Sequence, residues 1–443
     1  MMALLAGCTT WDSFRHTFLD DTAGVGGNVI HIGVFEPTTG RYSDAGNAEV
    51  KGIELANSIY SSVNGYRVEL VKVDTQSSPA VAETAIQSLI KMGPVAIIGS
   101  SGEATSLIAS KYITEARIPT ITPSATNPLI TQNSGYYFRA CVTESQMGAG
   151  AAEFAFSELG SRHIGLATGK NDTAATALIN GFDDRITTLI KNENKKAKTD
   201  EDKLKKNDVV VMQDEIVFDE DGMNKLASDM RKNNVDVLYI SQGTETMDNF
   251  FTLAEKKNLT NITYIGNSSW SNPEFIEMMD RHPNINVIFP YEAALDDRNE
   301  NMTEEADRFR ILYQNRYGTD DEPSSYAAHG YDSYLLLINA ISNANSLEGA
   351  DIRDAMLELS GVEGSTGKFE FDRSGNTIRT VDFYTIRGGE LEYRYTTQTA
   401  TESMDIEDIG SQEDQAVDKK KKKKTVNRLS EEEAEKVYIP KVE

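Results

Sequence analysis

Val95-Ala96-Ile97-Ile98-Gly99 is a short apolar run that passes through Ser100-Ser101-Gly102 into a helical stretch from Thr105 to Ala116. Ile118-Pro119-Thr120-Ile121 follows as a second strand. So short a run, with no polar alternation, reads as a strand buried on both faces, as a parallel sheet covered by helices requires. The same unit repeats upstream. Val29 to Phe35 is a strand-type run, and Ala45 to Ser62 carries Val50, Ile53, Leu55 and Ile59 near helical spacing. Tyr66 to Val73 alternates like a strand, and Ala80 to Met92 is helical. Strand and helix alternating at this pitch predict an α/β fold.

Downstream, a second alternating series begins near Arg162. Its strands are His163 to Ala167, Val209 to Val217, Val235 to Ile240 and Ile262 to Ile265. Its helices are Thr173 to Lys191, Gly222 to Asn233 and Thr246 to Lys257. Two such series predict two α/β lobes, and 443 residues suffice for two or three domains. Lys191 to Asp208 is almost wholly polar and reads as a solvated helix extension or loop insertion. Residues 401–443, with Lys419 to Lys424 all lysine and Glu431-Glu432-Glu433 behind them, lack core-forming side chains and read as a disordered, charged tail.

Composition narrows the function. With 69 acidic against 44 basic side chains the net charge is −25, which repels polyanions and argues against nucleic acid as a partner. Cys8 and Cys141 are the only cysteines, too few for a disulfide framework or a Cys-rich metal site. No Walker A loop or Gly-x-Ser-x-Gly elbow occurs, and the five histidines do not cluster at metal spacing. No catalytic motif, metal or cofactor is therefore expected. At the N-terminus, Leu5-Ala6-Gly7-Cys8 has the form of a bacterial lipobox, where the cysteine sulfur takes a diacylglycerol. No basic n-region or long apolar h-region precedes it, which predicts that the natural start lies further upstream. An acylated Cys8 would anchor the chain to the extracytoplasmic face of the cell membrane.

Three ordered stretches carry a resemblance. Ile118-Pro119-Thr120-Ile121-Thr122-Pro123-Ser124-Ala125-Thr126-Asn127-Pro128 is followed by Tyr137-Phe138-Arg139-Ala140-Cys141. Ala327-Ala328-His329-Gly330-Tyr331-Asp332 opens an apolar helix, and Gly364-Ser365-Thr366-Gly367-Lys368-Phe369-Glu370-Phe371-Asp372-Arg373-Ser374-Gly375-Asn376 lies near the end of the fold. Together they resemble the branched-chain amino-acid (Leu/Ile/Val) type of periplasmic binding protein, over about Asn28 to Tyr395. The resemblance implies a type I "Venus flytrap": two Rossmann-like lobes joined by three crossovers near Arg139 to Thr143, Phe289 to Ala293 and Gly367 to Asp372. Lobe 1 is then 28–141 plus 292–366, and lobe 2 is 142–291 plus 367–400, with 1–27 as lipobox and linker. It implies a small amino-acid-like ligand held in an interlobe cleft and delivered to an ABC permease, without catalysis. A ligand-sensing or cell-wall regulatory module on the same fold is the competing reading, and permease genes alongside would separate the two.

The expected ligand contacts lie at carboxyl ends of strands, as open α/β sheets favour. Ser100 and Ser101 follow one strand, and Ser124, Ala125 and Thr126 follow the next. Their hydroxyls and amides can converge on one carboxylate, although serine and threonine at such places also serve as ordinary caps. Tyr42 resembles an aromatic that the family sets over its ligand, and Tyr326 is a candidate cleft wall. The family's ligand serine falls on Glu103, and its second-lobe acid is missing from Gly266-Asn267-Ser268-Ser269, where Asn267 stands in the ligand position. Ser101, Ser124 and Thr126 are therefore expected to hold an anionic group. Glu103 is expected to select a cationic one or simply to complement its helix dipole.

Overall fold

The computed structural model describes residues 28–397 apart from 133, 171–172, 241, 293–302, 320 and 322. Cys8 and the charged tail lie outside the described residues, as do Asn171 and Asp172. The chain divides into two compact units, with the changeovers at Cys141/Val142, Glu292/Ala293 and Arg379/Thr380.

Unit 1 begins with β1 (Val29–Glu36), α1 (Ser43–Ile59), β2 (Ser62–Val63), β3 (Tyr66–Asp74), α2 (Pro79–Lys91), β4 (Ala96–Ile98), α3 (Glu103–Ala116), β5 (Thr120–Thr122), α4 (Leu129–Gln132) and β6 (Tyr137–Arg139). The sheet order is β2-β3-β1-β4-β5-β6, parallel except for the β2–β3 hairpin. That hairpin turns on Asn64 and Gly65, both at positive φ (50° and 81°), a two-residue turn matched to strand twist. Ile30, Ile32 and Val34 of β1 enter the core on one face, and Phe35 enters that on the other. Burial on both faces is why the run reads apolar throughout.

The second unit contains α5 (Glu144–Glu153), β7 (Ile164–Gly169), α6 (Thr173–Asn194), α7 (Lys206–Val209), β8 (Val210–Ile216), α8 (Glu220–Lys232), β9 (Val237–Ile240), α9 (Thr244–Lys256), β10 (Thr263–Ile265), α10 (Pro273–Met279) and β11 (Asn286–Pro290). The polar 191–208 stretch extends α6 by one turn. It is then closed by Asn194, whose side chain donates to the Leu204 carbonyl at 2.9 Å and accepts from its amide at 2.8 Å.

The chain returns to unit 1 through α11 (Glu304–Tyr317), α12 (Ser325–Asn343), α13 (Gly349–Leu357), β12 (Ser360–Gly364) and β13 (Gly367–Glu370). It ends the described region in unit 2 with β14 (Asp382–Arg387) and β15 (Glu390–Thr396). The unit 2 sheet runs β15-β14-β11-β10-β9-β7-β8, parallel except for the two pairings of β14, with β11 and with β15.

Helices α1 and α12 meet backbone to backbone. A Cβ on Gly52 would stand 1.9 Å from the Ala327 carbonyl oxygen, and one on Gly330 would stand 2.2 Å from that of Glu49. One expected boundary moves. The last crossover is at Arg379/Thr380, not at Gly367 to Asp372, so residues 367–379 stay with unit 1. The reason is packing. Phe369 and Phe371 are buried in the unit 1 core, Phe371 edge-on to Phe138 at 5.5 Å. The turn before them is also clamped to α12, where buried Asp332 accepts from the Ser365 amide at 2.6 Å and the Thr366 amide at 2.8 Å.

Candidate functional site

Strands β1, β4 and β5 are neighbours in the unit 1 sheet, so the loops leaving their carboxyl ends emerge side by side. Ser100 has no exposed surface. Its hydroxyl accepts from the Gly102 amide at 3.2 Å and from Thr105 Oγ1 at 3.1 Å, while its carbonyl accepts from Ser106 Oγ at 2.9 Å and Thr122 Oγ1 at 2.7 Å. It shapes the loop from within and offers a ligand nothing. Ala125 is likewise buried, and its carbonyl accepts from the Arg139 guanidinium at 2.5 Å. Ser101, Glu103, Ser124 and Thr126 are half-buried and form the accessible part of this face.

Three donors expected to hold a ligand carboxylate are engaged by the protein's own acids, while the Ser101 hydroxyl has no hydrogen-bond partner. The Ser101 amide donates to Glu36 Oε2 at 2.8 Å, Ser124 Oγ donates to Glu49 Oε1, and Thr126 Oγ1 donates to Glu103 Oε1 at 2.9 Å. Sequence reasoning missed Glu36 and Glu49. Both have zero exposure. Burial raises the Glu36 carboxyl from 4.5 to about 7, against the opposing pull of Glu49, the Ser101 amide and the nearby Ser100 and Ser101 hydroxyls. Burial first, then repulsion from Glu36, pushes Glu49 well above the usual carboxylate range. The signal for Glu36 was an acid ending an apolar strand. For Glu49 it was an acid one helical turn before Ile53, on the face that α1 buries.

Tyr42 is 49% exposed at the start of α1, with its amide donating to Ser77 Oγ at 3.0 Å and the Arg41 guanidinium 5.5 Å from its ring centroid. Tyr326 is 44% exposed in the first turn of α12. Partial burial, then the neighbouring Glu49, raises its phenol. Asn267 belongs to unit 2, so the structure does not group it with these residues. Its side chain accepts from the Ser269 amide at 3.0 Å and Ser269 Oγ at 2.6 Å, capping the short 3-10 turn after β10. Unit 2 carries a hollow of its own, about 670 Å³, at the carboxyl ends of β7 and β8, lined among others by Thr168, Gly169, Asn180, Asp214 and Glu215. Among the described residues no group of His, Cys, Asp and Glu could hold a metal ion, and no helix is long and apolar enough to cross a membrane.

The periplasmic binding protein family model matches residues 29–189 and 196–390. The amino acid binding protein of Pseudomonas aeruginosa is 30% identical over 141 residues, which are 30% of this chain and 37% of that protein. The Leu/Ile/Val-binding protein of Citrobacter freundii is 24% identical over 242 residues, 54% of this chain and 59% of that one. The chain thus spans well under two thirds of the length of these curated relatives. A leucine binding protein of Thermotoga maritima has a similar solved structure, with a TM-score of 0.64 at 25% identity, covering 83% of this chain and 98% of that one. The branched-chain amino-acid substrate binding protein of Streptococcus pneumoniae shares the fold at a TM-score of 0.63 and 21% identity, covering 84% of this chain and 99% of that one.

Proposed function

The chain belongs to the periplasmic binding protein family, and from that premise we propose that it captures a small amino-acid-like solute outside the cytoplasm and hands it to an ABC permease. An acylated Cys8 would hold it at the membrane. The observation that carries the reading is the unit 1 face, where two hydroxyl-bearing loops leave adjacent strands and Tyr326 neighbours Glu49. Because the Ser101 amide and the Ser124 and Thr126 hydroxyls already serve Glu36, Glu49 and Glu103, the charged group this face offers is the Glu103 carboxylate. It suits the ammonium end of the ligand, with half-buried Glu103 as the accessible counter-charge. Charge-assisted N–H···O bonds of that kind are about twice as strong as neutral ones.

A thermal-shift series on the full chain tests this. A ligand at a hundred times its Kd adds about 2.7 kcal/mol of stability. Leucine and leucinol, which keep the amine, should raise the melting temperature, and 4-methylpentanoate, which keeps only the carboxylate, should not. The reverse order would turn the ligand around. No response to any amino acid, peptide or small carboxylate would count against solute capture itself. The anchor is tested separately: with a complete signal peptide supplied, detergent-phase partitioning should vanish in Cys8→Ser.

A further inference from the structure

We propose that Glu36 and Glu49 share a single proton, and that in this state they are the positioning residues of the unit 1 face, one holding the Ser101 amide and the other the Ser124 hydroxyl. The link to ligand capture rests on the reading above; the shared proton does not.

Each carboxyl is fully buried, with one oxygen that accepts from a loop and one, Glu36 Oε1 or Glu49 Oε2, without a hydrogen-bond donor. The two side chains are in hydrogen-bonding contact with each other. Two bare carboxylates in contact, away from water, cannot both stay ionised. A proton placed between them makes one carboxyl the donor and the other the acceptor, so both orphaned oxygens are satisfied at once. The pair then titrates as a unit.

Among the described residues, no neighbouring element supplies a cation in its place. From β6, Tyr137 donates its hydroxyl to the Gly99 carbonyl at 2.6 Å. Arg139, also on β6, directs its guanidinium to the carbonyls of Ala125 and Asn127, each at 2.5 Å, and to Asn376 Oδ1 at 3.3 Å. The β4–α3 loop contributes the Ser100 and Ser101 hydroxyls and the Ser101 amide, and the loop after β5 contributes Ser124. From α12, Tyr326 faces Glu49 as a neutral phenol. His329, next to the Gly330 that packs on the Glu49 backbone, is driven down to about 3 by burial and then by Arg379, so it too is neutral.

When the proton leaves to solvent, two anions remain in one buried space. Relief by separation moves β1 or α1 against the loops that Glu36 and Glu49 hold. Ser101 and Ser124 move with them, and the face loses its shape as pH rises.

The test uses the full chain, Glu36→Gln and Glu49→Gln. Either glutamine is isosteric, accepts from the same loop and donates an N–H to the remaining carboxylate, so it mimics the protonated pair permanently. Infrared difference spectra, wild type minus variant, should show a protonated-carboxyl C=O band at neutral pH that disappears on alkaline titration. The wild-type melting temperature should fall by roughly 5 °C or more between pH 5 and pH 8, relative to either variant. Amide exchange over residues 99–106 should speed up with pH in the wild type beyond the rise seen in Glu36→Gln. No difference band, or parallel melting profiles, would overturn the shared proton. Exchange that rises equally in wild type and variant would overturn the positioning role. Leucine that fails to bind at any pH, with band, melting and exchange as expected, would sink the amino-acid reading and leave the pair standing.

Discussion

The two units open with the same arrangement and finish it differently. In unit 1, β1 lies between β3 and β4; in unit 2, β7 lies between β8 and β9, all parallel. At the end of β1 the space is filled by Glu36, fully buried against Glu49 and tied to the next loop. At the end of β7 it is a hollow of about 670 Å³, where Asp214 and Glu215 are acids at an edge strand and Lys225 stands 3.6 Å from Asp214. Topology decides that a strand end lies there. Whether it is packed shut or left open depends on one or two residues, and the packed version carries its acids at the cost of needing a proton.

The largest expected effect comes from emptying the filled end. Glu36→Ala leaves the Ser101 amide and the Glu49 carboxyl without their partner. Orphaned buried groups of this kind cost about 1–3 kcal/mol each, so about 2–6 kcal/mol should be lost in urea unfolding. Asp214→Ala, at the open end, should stay within about 0.5 kcal/mol. Similar losses for both would break the contrast between the units.

The pH response should separate them next. Glu36 binds its proton more tightly folded, at about 7, than unfolded, at 4.5. Between those values the folded state holds more protons. Its stability is therefore full below pH 4.5 and declines as pH rises through 7, and further while Glu49 still holds its proton. Trp270, fully buried in unit 2, is one of two tryptophans in the chain. With Trp11 replaced by phenylalanine, Trp270 fluorescence reports unit 2 alone. Its transition should hold steady from pH 5 to 8 while circular dichroism shows an earlier loss of unit 1. If the fluorescence transition moves equally, the pH response is not confined to unit 1.

A smaller effect probes the helix pair over the filled end. Gly330→Ala sets a methyl against the Glu49 carbonyl and forces α1 and α12 apart, an overpacking cost of about 1–3 kcal/mol. It should also raise the pH dependence, since it displaces Glu49. The smallest effect on stability is Glu103→Gln, within about 0.5 kcal/mol because the amide oxygen still accepts from Thr126. Leucine affinity by calorimetry should nonetheless fall by more than tenfold if Glu103 meets the ammonium, and unchanged affinity would return Glu103 to the role of a first-turn acid.

The fold was largely legible because burial on both faces writes itself as apolar runs. β1, β4 and β9 stand out for that reason, and the helices between them show their spacing. The closing strands were not read. β12 and β13 are exposed at alternate positions, and β14 and β15 carry the polar faces of an antiparallel ribbon. The crossover was placed too early because nothing local announces that Phe369 and Phe371 pack back against Phe138. Ser101, Ser124 and Thr126 were singled out for their places after strands and Glu103 through the resemblance, and all four are half-buried at the carboxyl ends of β4 and β5. Ser100 was indistinguishable from Ser101, since which of two adjacent serines turns inward depends on Thr105, Ser106 and Thr122. Glu36 and Glu49 were two acids among 69, and only the folded chain shows them back to back.

The late return of the chain to unit 2 sets an order of assembly. β11 offers an unpaired edge at Phe289 and Pro290 until Tyr384 and Phe383 of β14 arrive, and β14 is made only after the whole of α11 to β13. During synthesis, unit 2 is therefore a five-stranded sheet with an apolar rim, open to other chains while unit 1 completes itself. Truncation within β14 would leave that rim uncovered for good, and the expected phenotype is aggregation in place of lost affinity.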